Sequence, residues 1–154
     1  MMLPAVAISL HILSAVIWVG GMFFAYQILR PVAVQQFAPP QRLQLWSQIF
    51  VRFFPWVWLA IALLLLSGYW MVFGLFGGLR AVGAHVHIMQ GLGWLMMLLY
   101  AHVYFAPFRR LKEAVVTEQW AAAAEQLNQI RRIVGINLIL GLIVTTVAAA
   151  GRYI

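Results

Sequence analysis

The chain has no cysteine and no aspartate, and it has only three carboxylates among its 154 residues. Without cysteine there is no disulfide, no thiol nucleophile and no thiolate-bound zinc or iron–sulfur cluster. The three glutamates, Glu113, Glu118 and Glu125, fall in one short segment between apolar stretches. Proton or sodium transport through carboxylates inside a membrane therefore has no candidate residue.

Charge of either sign is scarce: 8% of the residues are charged and 65% are hydrophobic, whereas soluble domains carry roughly 25% charged residues. So few charges cannot cover the surface of a soluble domain of this size, and we predict an integral membrane protein, one domain over residues 1–154. The net charge of +7 would suit nucleic acid. The basic residues sit at the ends of apolar runs, however, where membrane orientation explains them better, so we predict no nucleic-acid partner.

Four long stretches contain no Arg, Lys, Asp or Glu. Each approaches or exceeds the length of about 20 residues that crosses a bilayer. Because lipid cannot satisfy backbone polar groups, we expect every span to be a helix. The predicted fold is all-α, a polytopic four-transmembrane-helix bundle in the lipid bilayer, with spans at about 3–29, 53–79, 81–108 and 133–151.

The basic residues are distributed unequally between the two ends of these spans. Arg80 and Arg152 lie at one end, and the other eight lie in the two long connections: Arg30, Arg42, Arg52, Arg109, Arg110, Lys112, Arg131 and Arg132. The positive-inside rule then puts both long connections in the cytoplasm and both termini outside. We predict a multi-pass protein of the cytoplasmic (inner) membrane, whose termini would be periplasmic in a bacterium.

Short amphipathic helices are expected in both cytoplasmic connections. Pro40 suits the first position of a helix, and a stripe of Leu43, Trp46, Ile49, Phe50 and Phe53 follows at helical spacing. We predict an interfacial helix there that leads into the second span. In the other connection, Thr117 is predicted to cap a helix over 118–132 that continues into the fourth span.

Two histidines inside the spans are candidate haem ligands. His11 lies roughly 12 Å from the outer end of the first span and His87 roughly 9 Å from the same end of the third, so the two could be level. Trp18 follows the His11 side, and Gly91 and Trp94 follow the His87 side. We expect both sides to face the bundle interior, where haem b would take His11 and His87 as axial ligands.

The alternative function is copper binding or transport across the cytoplasmic membrane, with copper bound at this end of the bundle. His85, His87 and Met89 follow one another at the start of the third span, and His11 lies near the same face of the membrane. Imidazole and thioether groups suit copper, so the predicted metal ligands are His11, His85, His87 and Met89. A third interpretation is a structural or assembly subunit whose histidines only bridge helices. The role of His102, at the opposite end of the third span, stays open.

Residues 10–23 read LHILSAVIWVGGMF, with a tryptophan seven positions after a histidine and then glycine and phenylalanine. This pattern resembles the opening helix of the CopD-type family of membrane proteins, named for copper resistance. It is also similar to the first helix of HemJ-type membrane protoporphyrinogen oxidases. The first resemblance implies a small helical membrane protein linked to copper uptake, and the second implies haem-b binding and porphyrinogen oxidation. In both, His11 matches the first-span histidine of the family.

The leading functional prediction is haem-b binding with an electron-transfer or redox role. Two axial imidazoles leave no open position on the iron, so electron transfer fits better than oxygen binding. Arg80 is placed to pair with a haem propionate. Whether the chain is an enzyme stays open: a haem-dependent membrane oxidoreductase would draw its reactivity from the cofactor. Participation of a redox partner, a quinone or a homo-oligomer is also left open.

Overall fold

The protein is described here from a computed structural model of residues 2–151, so Arg152 lies outside the described part of the chain. These residues form helices and no β-strand. Two π-helical segments, Phe24–Leu29 and Met71–Leu75, continue the helices that precede them. The α-helices are α1 (Met2–Phe23), α2 (Arg30–Gln36), α3 (Pro39–Trp70), α4 (Ala84–Phe105), α5 (Pro107–Val116) and α6 (Trp120–Ala150).

Joined end to end, these segments make four long helices, each long and apolar enough to cross a membrane. The prediction of a four-span, all-α membrane protein is confirmed. The helices also extend past the predicted spans, because the residues of the two long connections are themselves helical. The four run over Met2–Gln36, Pro39–Leu75, Ala84–Val116 and Trp120–Ala150.

The long helices pack mainly as two pairs, α1 against α3 and α4 against α6, with α5 folded onto α6. The pairs meet where Trp18 and Tyr100 stack edge to face, with ring centroids 6.0 Å apart. Because the connections are short, successive long helices alternate in direction. We call the end that holds residues 30–52 and 107–132 the basic end. The opposite end, with residues 2–14, 67–91 and 145–151, is the terminal end.

The tightest packing lies toward the basic end. Leu111 and Ile130 have no exposed surface, and an aromatic cluster fills the space beside them. Within it, Phe54 meets Phe108 edge to face at 4.7 Å between centroids, and the Tyr100 hydroxyl donates a hydrogen bond to the Phe54 carbonyl at 2.9 Å. The other members of this cluster are Trp46, Phe50, Trp58 and Tyr104. Edge-to-face pairs of this kind add stabilisation beyond the area they bury.

The amphipathic stripe before the second span is helical as predicted, but it is buried within the bundle. The helix starts at Pro39 and continues without a break into α3. Leu43, Trp46 and Phe50 are buried in the bundle core. The stripe therefore packs against neighbouring helices, because α5 and the start of α6 provide an apolar surface for it.

The predicted cap of the last helix is wrong. The Thr117 hydroxyl donates backwards to the Glu113 carbonyl at 2.9 Å and so closes the end of α5. Helix α6 begins at Trp120, and Gln119 precedes it without a side-chain cap. Glu118 takes the left-handed conformation, with φ of 54°, which turns the chain between the two helices. A threonine hydroxyl can serve either helix, and here the preceding helix takes it.

Candidate functional site

The inward face of α1 agrees with the sequence prediction. Ser14, Trp18 and Met22 are buried and His11 is half-buried, whereas Ile12 points away from the bundle. The spacing of three to four residues between the buried positions is that of one helix face. His11 thus enters the bundle from the first long helix, at the terminal end.

His11 is held by a serine of the second long helix. The Nδ1 atom of His11 lies 2.9 Å from the Ser67 hydroxyl oxygen. Ser67 donates its single hydroxyl proton to the Leu63 carbonyl of its own helix. With that proton given to Leu63, the Ser67 oxygen accepts from His11, and this hydrogen-bond network assigns the ring proton to Nδ1. The neutral ring then carries its free electron pair on Nε2.

This is the arrangement in which histidine binds a metal ion. A ligating imidazole donates its other N–H to a nearby acceptor, which fixes the tautomer and the ring orientation. Besides Ser67, the backbone of Leu64 lies within hydrogen-bonding reach of the His11 ring. Gly68 makes room for the ring, because a Cβ at this position would come within 3.1 Å of the His11 Cε1.

A second polar group lies beside this pair and joins α3 to α4. The Tyr69 hydroxyl accepts hydrogen bonds from Gln90 Nε2 at 2.8 Å and from Trp94 Nε1 at 3.1 Å. Sequence reasoning missed the contribution of Ser67, Gly68 and Tyr69. The signal was present, because Ser67 is the first polar side chain after a long apolar run in the second span.

The predicted inward face of the third span is wrong. His87 and Gly91 are exposed, and Trp94 and Leu98 are 44% and 64% exposed, so most of this face is open, although Trp94 donates a hydrogen bond to Tyr69 of α3. The buried face of α4 carries Met96, Tyr100 and Val103. Tyr100 belongs to the aromatic cluster, and the Met96 carbonyl accepts a hydrogen bond from Asn137 at 3.2 Å, so these contacts fix the rotation of α4.

The remaining predicted site residues, His85, Met89 and Arg80, lie at the terminal end. His85 is half-buried and packs on Gly151 at the end of α6, and Met89 is half-buried. Arg80 is exposed in the loop before α4, and His102 is exposed at the far end of that helix. Within residues 2–151 no three His or Glu side chains come close enough to share a metal ion.

The predicted haem b gains no support from this arrangement. Axial ligation by two histidines requires both rings to approach one iron from opposite sides. His11 turns toward Ser67, whereas His87 lies on the outer surface of α4. Trp18, predicted to line the cofactor, packs in the core against Tyr100. The residues present do not fit a haem between the first and third spans.

The fold defines a class: a small protein of four helices that are long and apolar enough to cross a membrane, with a half-buried histidine that contacts a serine of the neighbouring helix. A family model described as "Copper resistance protein D", CopD, matches residues 47–150. The match covers more than half of the chain, and the chain belongs to the CopD family. It leaves out residues 10–23, where the sequence pattern first suggested this family. Neither the curated proteins nor the solved structures give a match.

Proposed function

We propose that this protein binds copper as a cargo at the terminal end of its bundle, with His11 as the ligand inside the membrane. The arrangement of His11 carries the proposal: Ser67 orients the ring and leaves Nε2 with a free electron pair. Membership of the CopD family supports copper as the metal. A soft thioether ligand such as Met89 favours Cu(I), and imidazole also suits copper.

The start of α4 supplies the other proposed ligands. His85, His87 and Met89 lie within five positions of one another, and of these His87 is exposed. Imidazole nitrogen and thioether sulfur are both copper ligands. We propose that copper meets this segment first and then passes to His11, with few protein ligands at any one time. Weak, successive binding suits an ion that has to leave again.

The sidedness of the protein is part of the proposal. Eight basic residues lie at the basic end and Arg80 lies at the other end, and this asymmetry favours a cytoplasmic basic end. The terminal end, with its histidines, would then face the outside of an inner membrane. Copper from outside would reach His85 and His87 before it reached His11.

The test is a copper titration of the full-length protein in detergent, with a chelator as competitor. We expect His11→Ala to weaken Cu(I) binding by tenfold or more, and Ser67→Ala by about tenfold, because partners that orient a ligand are worth about that much. His85→Ala and His87→Ala should slow loading. His102→Ala is the matched control, since it removes a histidine at the other end of α4.

Two results would contradict the proposal. One is unchanged copper affinity in His11→Ala, and the other is an equal loss in His102→Ala. Thermal unfolding of each variant separates a lost ligand from a lost fold. A red preparation with a sharp visible absorption band after reduction would instead favour the haem interpretation.

A further inference from the structure

A cleft at the basic end is lined mainly by cationic side chains. It has a volume of about 340 Å³ and lies between the first and fourth long helices, lined by Tyr26, Arg30, Asn128, Arg131 and Arg132. We call it the arginine cleft. Tyr26 comes from the π-helical segment Phe24–Leu29, and its ring lies against Gly135, where a Cβ would be 3.1 Å from the hydroxyl.

The positive charges of the cleft are not balanced by carboxylates. Of the arginines that line it, Arg30 and Arg131 are half-buried and Arg132 is exposed. The charged neighbours that act on Arg131 are Arg30 and Arg42, and none of the three glutamates is among them. Holding guanidinium groups together in a partly buried place costs free energy unless an anion joins them.

Neighbouring groups hold the two central guanidinium groups in place. The Arg30 Cζ lies 5.2 Å from the centroid of the Tyr26 ring. The Arg131 Nη1 donates to Asn128 Oδ1 at 3.2 Å. A guanidinium group has five N–H donors, so both side chains keep donors for a ligand. Such forks match the oxygens of phosphate groups.

We propose that the arginine cleft binds the phosphate group of an anionic phospholipid. A second cleft of about 400 Å³ shares Tyr26 and Arg30 and continues along α2 past the exposed Pro31 and Val34. A ligand with a phosphate group and an apolar tail fits this joint surface better than a bare ion does. Basic clefts between membrane helices are known places for such headgroups.

The experiment uses the full-length protein in detergent, titrated with phosphatidylglycerol and, separately, with phosphatidylcholine, with bound lipid counted by native mass spectrometry. We expect phosphatidylglycerol to bind preferentially. Arg30→Gln and Arg131→Gln should each weaken its binding by about fivefold, the factor that corresponds to one basic residue at a lipid surface. Arg30→Lys should retain part of the binding. Arg110→Gln, an exposed arginine of α5 outside the cleft, is the matched control and should bind like the wild type.

Three results would overturn the proposal. Equal weakening in Arg110→Gln would mean that the charge of the whole end, and not the cleft, attracts lipid. Equal binding of the two lipids would mean that the anionic headgroup is not recognised. Displacement of the lipid by inorganic phosphate at matched ionic strength would assign the cleft to free phosphate. Circular dichroism of each variant ensures that the comparison is made between folded proteins.

Discussion

The two ends of this bundle differ in the kind of side chain that packs between the helices. The basic end is filled by aliphatic and aromatic side chains, with Leu111, Ala123 and Ile130 entirely buried. The terminal end holds polar pairs, His11 with Ser67 and Tyr69 with Gln90. The difference indicates that apolar packing stabilises the basic end, whereas hydrogen bonds between helices are found at the terminal end.

The physical cause is the solvent at each end. Leu43, Leu111 and Ile130 lie outside the four apolar stretches, where water makes the burial of apolar surface favourable. Inside lipid that driving force is lost, and helices associate through close packing and hydrogen bonds. Polar contacts such as the one between His11 and Ser67 therefore carry more of the association at the terminal end.

The largest effect on stability is expected when a buried side chain is shortened in the core of the basic end. Leu111→Ala should lower the free energy of unfolding by about 2–5 kcal/mol, because it removes a fully buried side chain and leaves a cavity. Leu98→Ala is the control, since Leu98 is 64% exposed and should change stability by about 0.5 kcal/mol or less. Unfolding in mixed micelles measures both. Equal costs would mean that the core around Leu111 is not tightly packed.

A smaller effect is expected midway between the ends, where helices approach closely. A Cβ at Gly141 would come within 2.9 Å of Val19 Cγ2, so Gly141→Ala should cost about 1–3 kcal/mol through overpacking. Gly91→Ala is its partner variant, because nothing lies within 4 Å of a Cβ there. The same unfolding assay should find Gly91→Ala no less stable than the wild type. Destabilisation of Gly91→Ala would indicate a hidden contact on the outer face of α4.

The same tyrosine-to-phenylalanine substitution can be made at Tyr100, toward the basic end, and at Tyr69, at the terminal end. Tyr100→Phe removes the buried hydrogen bond to the Phe54 carbonyl and should cost about 1 kcal/mol. Tyr69→Phe removes an acceptor that is only part-buried, and we expect a cost of about 0.6 kcal/mol or less. Chemical denaturation of the two variants side by side gives the ranking. A larger loss in Tyr69→Phe would contradict the expectation that the hydrogen bond toward the basic end contributes more to stability.

The smallest effect concerns the turn between α5 and α6. Glu118 has a φ of 54°, a conformation that costs most residues about 1–2 kcal/mol and glycine nothing. Glu118→Gly should therefore raise the free energy of unfolding, by about 0.5 kcal/mol once the greater freedom of the unfolded chain is counted. Glu113→Gly, inside α5, should lower it. A loss of stability in Glu118→Gly would show that the glutamate side chain itself supports the turn.

The sequence predicted the number of spans and the inward face of α1, because long apolar runs and the spacing of Ser14, Trp18 and Met22 are local signals. The rotation of α4 could not be predicted in the same way. Lipid is as apolar as a protein interior, so apolar residues mark both faces of a span equally. The face of α4 with His87 and Gly91 was therefore predicted to point inward. The buried face is instead the one that carries Met96 and Tyr100.

Ser67 stands out in the sequence as a polar residue after an apolar run, but its pairing with His11 could not be predicted. Ser67 lies 56 positions away from His11 in the chain, and only the packing of α1 on α3 brings them together. Likewise, the sequence leaves open which helix the Thr117 hydroxyl serves, since both candidates are its neighbours. Features that depend on one helix were therefore predictable, and those that depend on two were not.

The helical extensions at the basic end give the molecule a folded protrusion on a single side of the membrane. Moving that protrusion across the bilayer would dehydrate eight cationic side chains. It would also disrupt the packing around Leu111 and Ile130. We therefore expect the inserted protein to keep one orientation for the lifetime of the fold, with each end of the bundle facing a single compartment.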